Sequence, residues 1–342
     1  MGGPNSYVES MRPENNQPLY SATRRRFLEL AAGTVLLPYG LSAAQRWIGQ
    51  PSQPSSPDDG GPRPEAWKPN TLTACWIGHS TVLMNFFGTT IITDPVFSNE
   101  VGIDMGFLVY GPRRITQPAL RFDQLPPIAI MLISHAHMDH LDLRTVRRFD
   151  RSMPVVVPAH TADLLLDQGF TNVRELDWGH SLEINGVQIE AIQVKHNGAR
   201  FLWEPDRADG SENGRSFNGY LLSRNNIHVV FGGDTGLCDF FKPLRQRFNG
   251  IDLAIMPIGG YEPKQRYHAT PEQTVAMCKD MGARALLPIH WETFVSTSEH
   301  VDEPMDRLKK AMEHETFLLA ADDIGCVWTL EAGRSSDSPR GE

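Results

Sequence analysis

The stretch Pro127–Asp142, PIAIMLISHAHMDHLD, decides how the rest of the chain is interpreted. Its first half is a continuous apolar run, which predicts a strand buried on both faces. Three histidines and one aspartate follow within six residues: His135, His137, Asp139 and His140. Alternation puts three of them on one side of an extended backbone, and a turn at Asp139 lets His140 reach a second centre. Such a cluster would repel if charged and lack partners if neutral, so we predict a divalent metal site.

Polar residues also end other predicted strands. VQIEAIQV is followed by His196, IHVVFGG by Asp234, ARALLPI by His290, and the run TIITDP contains Asp94. Strands that place polar residues at their carboxyl ends, in a mixture of hairpins and helices, favour layered sheets covered by helices. We therefore expect the functional site along this shared edge.

Two short signals predict β-hairpins. Asn185 and Gly186 lie between SLEI and VQIEAIQV, and Asn225 and Asn226 lie between YLLS and IHVVFGG. Asn-Gly is the strongest short hairpin signal because both turn residues tolerate positive φ. The earlier strands TLTACWIG, TVLMNFFG and TIIT predict a further hairpin or a meander.

Helices are predicted at two places. TPEQTVAMCKDMG begins with Thr270 as cap, closes a capping box with Gln273 and ends at Gly282. LDLRTVRRF is a second predicted helix, capped by Asp142.

The composition is that of a folded globular protein. Of 342 residues, 40% are hydrophobic and 21% charged, which excludes a disordered chain, a collagen and a disulfide-dense miniature scaffold. The net charge of -9 disfavours binding to phosphate backbones, so we expect no nucleic-acid partner. The cysteines are far apart and form no C-x-x-C motif, which favours buried free thiols over disulfides at Cys75, Cys238, Cys278 and Cys326.

Residues 21–44, SATRRRFLELAAGTVLLPYGLSAA, have the pattern of a twin-arginine export signal. Arg24 and Arg25 precede a short apolar stretch that ends in small residues suited to cleavage after Ala44. The alternative is a basic helix start followed by an ordinary amphipathic helix. A twin-arginine signal would send a folded, metal-loaded protein to the periplasm or the cell envelope.

The rest of the chain divides into three predicted segments. PSQPSSPDDGGPRP and AGRSSDSPRGE lack apolar periodicity and are rich in turn-forming residues. We expect a signal over residues 1–44, a disordered linker over 45–69, one folded domain over 70–331 and a disordered tail over 332–342.

The motif HAHMDH, residues 135–140, resembles the HxHxDH motif of the metallo-β-lactamase superfamily. The resemblance implies a four-layer αββα sandwich with two Zn²⁺ ions along one edge. The first zinc would be held by His135, His137 and His196, the second by Asp139, His140 and His290, and Asp234 would bridge both. A hydroxide bridging two such ions is the expected nucleophile.

Several blocks are similar to the N-acylphosphatidylethanolamine-hydrolysing phospholipase D family. WIGHSTVLMNFFGTTIITDPVFS, GPRR, SHAHMDHLD, GDTGLC, PIGGYEP and IHWETF occur in the family's order, and the likeness runs from Trp76 to Phe294. It implies zinc-dependent hydrolysis of a phosphodiester that releases an N-acylethanolamine. Bridging Asp234 disfavours a β-lactam substrate, because the β-lactamases proper usually have no aspartate bridge.

The same resemblance assigns roles around the metals. Asp139 and His268 are the expected catalytic residues, His268 as the group that holds or protonates the phosphate or leaving group, or else as a loop-capping histidine. His79 and Asp94 are expected as outer supports of the metal edge. Met138 and Glu292 depart from the residues that the family has at these positions. Both lie within two residues of an expected ligand, so the preference for headgroup or acyl chain could differ. The other histidines are expected to be structural or solvated: His160, His180, His228, His300 and His314.

A phospholipid or another small phosphodiester is the expected partner, with peripheral membrane contact through apolar loops. The candidate residues, for which core packing is the alternative, are Phe107, Leu108, Tyr110, Phe201 and Trp203. Two other functions stay open. One is a lactonase of the sugar-phosphate lactonase type, which shares the early WxGHS and TDP pattern, or a hydrolase of another ester. The other is a noncatalytic metal-binding protein.

Overall fold

The computed structural model describes residues 61–294 and 297–331. The predicted signal over 1–44 and tail over 332–342 lie outside the described residues, as does the linker up to residue 60. Residues 61–69 differ from the disordered linker that we expected. Pro64–Ala66 form a 3-10 turn, and Trp67 packs against the hydrophobic core. The domain's packed structure therefore begins before residue 70, because the side chain of Trp67 packs against the core.

The described residues form strands and helices that we label in chain order. The strands are β1 (Thr71–Gly78), β2 (Thr81–Phe86), β3 (Thr89–Thr93), β4 (Ile103–Asp104), β5 (Val109–Tyr110), β6 (Ile130–Leu132), β7 (Val155–Pro158), β8 (Val173–Leu176), β9 (Ser181–Ile184), β10 (Val187–Gln193), β11 (Asn218–Arg224), β12 (Ile227–Phe231), β13 (Leu253–Pro257), β14 (Ala285–Ile289), β15 (Leu318–Leu319) and β16 (Val327–Glu331). The helices are α1 (Leu143–Val146), α2 (Ala162–Leu166), α3 (Lys242–Phe248), α4 (Pro271–Met281) and α5 (Glu303–Met312).

Two seven-stranded mixed sheets form the centre of the domain. The first has the order β16-β1-β2-β3-β6-β7-β8, and the second has the order β15-β14-β13-β12-β11-β10-β9. In the first sheet β3, β6, β7 and β8 are parallel, and in the second β12 to β15 are parallel. Parallel strands end at the same edge of their sheet, so the loops after these strands meet there. Strands β4 and β5 form a separate small hairpin.

The core lies between the sheets and under the helices. In β1 alternate residues face opposite sides: Leu72, Ala74 and Trp76 pack between the sheets, whereas Cys75 and Ile77 join a second apolar cluster on the outer face. Residues of α2 contribute to that outer cluster, and residues of α4 cover the second sheet. The predicted αββα sandwich is confirmed.

Local sequence signals account for several elements. Both predicted hairpins form, with positive φ at Asn185, Gly186, Asn225 and Asn226. Helix α4 has both bonds of the predicted capping box and ends at Gly282 in the left-handed conformation.

The helix predicted from LDLRTVRRF is shorter than expected. Its cap is present, since the Asp142 carboxylate accepts a hydrogen bond from the Arg144 amide. The α-helix nevertheless ends at Val146, and the Arg148 and Phe149 amides bond three residues back, to Thr145 and Val146. The tighter turn ends the helix before the residues that the sequence pattern included.

All four cysteines are free, as the sequence predicts; Cys75 and Cys278 are buried, and Cys238 and Cys326 are partly buried. Among residues 61–294 and 297–331, no helix has the length and apolar character needed to cross a membrane.

Candidate metal centre

The structure brings the seven predicted ligands together at one edge of the sandwich. Four of them lie on the loop after β6, and one each follows β10, β12 and β14. They are His135, His137, Asp139, His140, His196, Asp234 and His290. Both sheets contribute, so the site lies where their strand ends face each other.

The first ligand cluster contains three imidazoles whose nitrogens converge on one point. His135 Nε2 lies 2.9 Å from His137 Nδ1, and His196 Nε2 lies 3.3 Å from the same atom. In a tetrahedral zinc site with Zn–N bonds of about 2.0–2.1 Å, ligand nitrogens are about 3.3 Å apart. These spacings therefore fit three ligands of one ion.

Hydrogen bonds on the far side of two of these rings fix their orientation. The Nδ1 atom of His135 lies 2.9 Å from the Ser134 hydroxyl, and Nδ1 of His196 lies 3.0 Å from the Tyr267 carbonyl oxygen. A proton on Nδ1 satisfies each of these contacts and leaves Nε2 free to bind a metal.

The second cluster lies around Asp139 and shares Asp234 with the first. Oδ2 of Asp234 is 3.1 Å from Nε2 of His140 and 3.1 Å from Nε2 of His290. Oδ2 of Asp139 is 3.8 Å from the same nitrogen of His290. Asp234 Oδ2 is also 3.7 Å from Nε2 of His196, so one carboxylate faces both clusters.

The donor set fits bound metal. Nε2 of His140, Nε2 of His290 and Oδ1 of Asp234 are buried and have no hydrogen-bond partner within the described ranges. Buried polar atoms are normally satisfied, and imidazole nitrogens and carboxylate oxygens are zinc ligands. The clusters His79, Asp139, His140, His290 and His135, His137, His196 each bring ligand atoms within 4.8 Å of one another.

The electrostatics of the cluster also favour a cation. Burial lowers the pKa of His135, His137 and His196, which keeps these imidazoles neutral. Burial alone would raise the pKa of Asp234, but the neighbouring imidazoles, His140 first, hold it well below its usual range. Burial likewise opposes protonation of His290, yet the Asp234 carboxylate raises its pKa to about 9. Positive charge therefore stabilises the buried carboxylates. A bound metal ion supplies this charge and displaces the protons of its ligands.

Asp94 supports this arrangement from behind. Its Oδ2 accepts a hydrogen bond from Nδ1 of His140 at 2.7 Å and from the Ser134 hydroxyl at 2.5 Å, and its Oδ1 accepts from the Ser134 amide at 2.7 Å. Both Asp94 and Ser134 are fully buried. The carboxylate therefore orients His140 directly, and it orients His135 through the serine.

His79 and His268 lie beside the two clusters. Nε2 of His79 is 3.2 Å from Oδ2 of Asp139, a distance at which the ring donates a hydrogen bond to the carboxylate. Nδ1 of His268 is 3.7 Å from Oδ2 of Asp234. Burial lowers the pKa of His268 to about 4, so its ring is neutral near pH 7. The five histidines that we expected to be structural or solvated belong to none of the clusters found among the described residues.

Three supporting groups escaped sequence reasoning. Ser134 stands directly before the histidine motif, where its position could have drawn attention. The Tyr267 contact uses a backbone carbonyl, which no side-chain pattern signals. The Arg200 guanidinium donates to the carbonyl oxygens of Ala136 and Leu141, both at 2.8 Å, and so clamps the two ends of the ligand loop.

Comparison with known proteins identifies the family. Residues 89–291 match the family described as "Beta-lactamase superfamily domain". The "N-acyl-phosphatidylethanolamine-hydrolyzing phospholipase D 1" of Caenorhabditis elegans is 33% identical over 278 residues, which cover 75% of each chain. The mitochondrial enzyme of the same name from Saccharomyces cerevisiae is 31% identical over 257 residues, which cover 71% of this chain and 52% of the yeast protein.

A solved structure supports the fold alone. The "possible metal-dependent hydrolase" of Veillonella parvula superposes with a TM-score of 0.60 at 22% identity, covering 76% of this chain and all of the other. The family match and the sequence relatives therefore show that the chain belongs to the beta-lactamase superfamily, among its metal-dependent hydrolases. Its homologues at 31–33% identity include N-acyl-phosphatidylethanolamine-hydrolysing phospholipases D.

Asp94→Asn tests the support behind His140. An amide cannot accept from His140 and Ser134 as the carboxylate does, so we expect zinc affinity to fall by about 10–100-fold. Competition with a chromophoric chelator measures this change. Asp167→Asn, at an exposed aspartate after α2, serves as control. Unchanged zinc affinity in the Asp94 variant would show that His140 needs no carboxylate behind it.

Proposed function

We propose that the protein is a dizinc phosphodiesterase that cleaves N-acylphosphatidylethanolamine-type phospholipids in the manner of a phospholipase D. The products would be an N-acylethanolamine and a phosphatidic acid. The observation that carries the proposal is the pair of ligand clusters that share Asp234. The names of the nematode and yeast relatives support the choice of substrate.

The metals and the chain have separate tasks in this reaction. Two zinc ions, when bound, supply an activated water and polarise a phosphoryl oxygen. Asp139 would hold the second metal, and His79 fixes the orientation of its carboxylate. His268, neutral and beside Asp234, donates a ring N–H to a phosphate oxygen or to the leaving oxygen.

A substrate panel tests the activity. We expect the zinc-loaded protein to hydrolyse N-acylphosphatidylethanolamine and a simple phosphodiester, and to leave a lactone and a β-lactam intact. Asp139→Asn should lower turnover more than about 100-fold, because outer supports of metal ligands alone account for about 10–100-fold. Asp167→Asn should retain full turnover. Hydrolysis of the lactone alone would favour the lactonase alternative and reject the phospholipase.

We also propose that the protein contacts lipid through two apolar loops. Phe107 in the β4–β5 hairpin is 88% exposed, Leu202 is fully exposed and Trp203 is 57% exposed. Core packing, the alternative considered for the candidate residues, is therefore wrong for Phe107, Leu108, Tyr110 and Trp203.

The second loop is held in a defined shape. The Glu204 carboxylate accepts from the amides of Arg200 and Phe201, and the Phe201 ring stacks on Trp203 at 4.7 Å. Arg200 joins this loop to the ligand loop. Exposed aromatic and aliphatic side chains on a fixed loop beside the metal centre are suited to a lipid surface. Because the chain has a net charge of -9, a zwitterionic surface is the favoured target.

Leu202→Ser combined with Trp203→Ser tests this contact. We expect sedimentation with phosphatidylcholine vesicles to weaken at least about 10-fold, since burying one such side chain contributes about 1.5–3 kcal/mol. Turnover of a water-soluble phosphodiester should not change. The matched control is Leu166→Ser, at an exposed leucine on α2. Equal vesicle binding by the double variant and its parent would refute the lipid contact.

Export by the twin-arginine route to the periplasm or cell envelope is a further proposal, supported by the sequence pattern at Arg24 and Arg25. Changing both arginines to lysine should keep the full-length protein in the cytoplasm of a bacterial host, because this route requires the arginine pair. Immunoblots of cell fractions measure the distribution. Unchanged recovery from the periplasmic fraction would contradict the proposed route.

A further inference from the structure

The ligand histidines differ in what lies behind them. His140 contacts Asp94, His135 contacts the Ser134 hydroxyl, and His196 contacts the Tyr267 carbonyl. His290 differs from these three. Its Nε2 faces Asp234 at 3.1 Å, but its Nδ1 is buried and has no hydrogen-bond partner among residues 61–294 and 297–331. A metal-bound histidine normally donates a hydrogen bond from its second ring N–H, so Nδ1 of His290 needs a hydrogen-bond acceptor.

A small cavity borders His290. Its volume is about 30 Å³, and its lining includes His79, His290, Gly260, Trp291 and Glu299. Space of about 10–15 Å³ is enough for one water, provided that polar partners surround it. The cavity is therefore of a size for one or two ordered waters.

The backbone at Gly260 brings the cavity close to the metal ligands. A Cβ atom at this residue would lie 3.1 Å from Nδ1 of His290 and 3.0 Å from Nδ1 of His268. Its φ of +81° is also one that glycine adopts most readily. Only a residue without a side chain fits between the two rings, so the chain passes directly behind His290.

Glu299 is joined to this point of the chain. Its Oε1 accepts a hydrogen bond from the Gly260 amide at 2.5 Å. Its Oε2 is buried and unpaired within the described ranges, as are Nδ1 of His290 and Nε1 of Trp291. Two ring nitrogens able to donate and one carboxylate oxygen able to accept thus belong to residues that line one cavity.

We infer that Glu299 orients His290 through a water bound in this cavity. The water accepts from Nδ1–H of His290 and from Nε1–H of Trp291, and it donates to Oε2 of Glu299. Three hydrogen bonds are typical of a buried water. Glu299 is thereby a positioning residue for one metal ligand. The inference rests on the metal centre of the proposed function and is independent of the substrate.

Glu299→Gln tests the inference by zinc affinity, measured without substrate by chelator competition. The amide oxygen can still accept from Gly260, but the amide nitrogen cannot accept from the water. We expect the affinity of the site that contains His290 to fall by about 10-fold, within the range of 10–100-fold for outer partners of metal ligands. The affinity of the site that contains His135, His137 and His196 should not change. The His196→Ala variant, in which the first site is incomplete, identifies the dissociation step of each site.

Glu262→Gln is the matched control, because Glu262 carries the same charge two residues from Gly260 and does not line the cavity. The melting temperature of the metal-free protein should be equal in wild type and Glu299→Gln. A second readout is the imidazole N–H resonance of zinc-loaded protein, where the Nδ1 proton of His290 should exchange faster in the Glu299 variant.

Three results would overturn the inference. They are unchanged zinc affinity at both sites, an equal loss at both sites with a lower melting temperature, and the same loss in Glu262→Gln. Failure of wild type to bind two zinc ions would instead remove the metal centre on which both proposals rest. Absence of activity on N-acylphosphatidylethanolamine would reject only the proposed substrate.

Discussion

One buried carboxylate, Asp234, is the constraint on which the site depends. It follows β12, and its Oδ2 lies 3.1–3.7 Å from nitrogens of four histidines: His140, His196, His268 and His290. A buried charge is costly unless it is paired, so the imidazoles around it must be held in place, and positive charge must come from His140 and His290, whose pKa values are raised, or from a metal ion. Most other features of this edge of the sandwich hold these imidazoles in place. Asp94 and Ser134 orient rings from behind, and Arg200 clamps the loop that carries four ligands.

Much of the fold could be predicted because it depends on local chemistry. The Asn185–Gly186 turn and the capping box of α4 need only neighbouring residues, and both form as predicted. The prediction was wrong where tertiary packing determines the local conformation. The residues after Val146 tighten into a turn in place of a longer helix, and Trp67 orders part of the linker because it finds an apolar site on the core. Neither outcome has a signal within a short window of sequence.

The ligand set was predictable for a different reason. Each ligand follows an apolar strand, and parallel strands end at one edge, so spacing along the chain becomes proximity in space. The contacts behind the ligands were not predictable in this way. The Tyr267 contact uses a backbone oxygen, and Glu299 reaches Gly260 across 39 positions without a motif that links them. Such partners depend on how loops fold over the edge, which apolar periodicity does not encode.

The distribution of the ligands over both sheets has a consequence for assembly. Between His135 and His290 the chain must complete the parallel strands of the first sheet and nearly all of the second before the last ligand arrives. No short segment of the chain contains the whole set, so neither ligand cluster is complete until strands of both sheets have formed. Metal stabilises the finished sandwich by mass action, by about 2.7 kcal/mol when its free concentration is 100 times the dissociation constant. Metal occupancy therefore reports that both sheets have closed against each other.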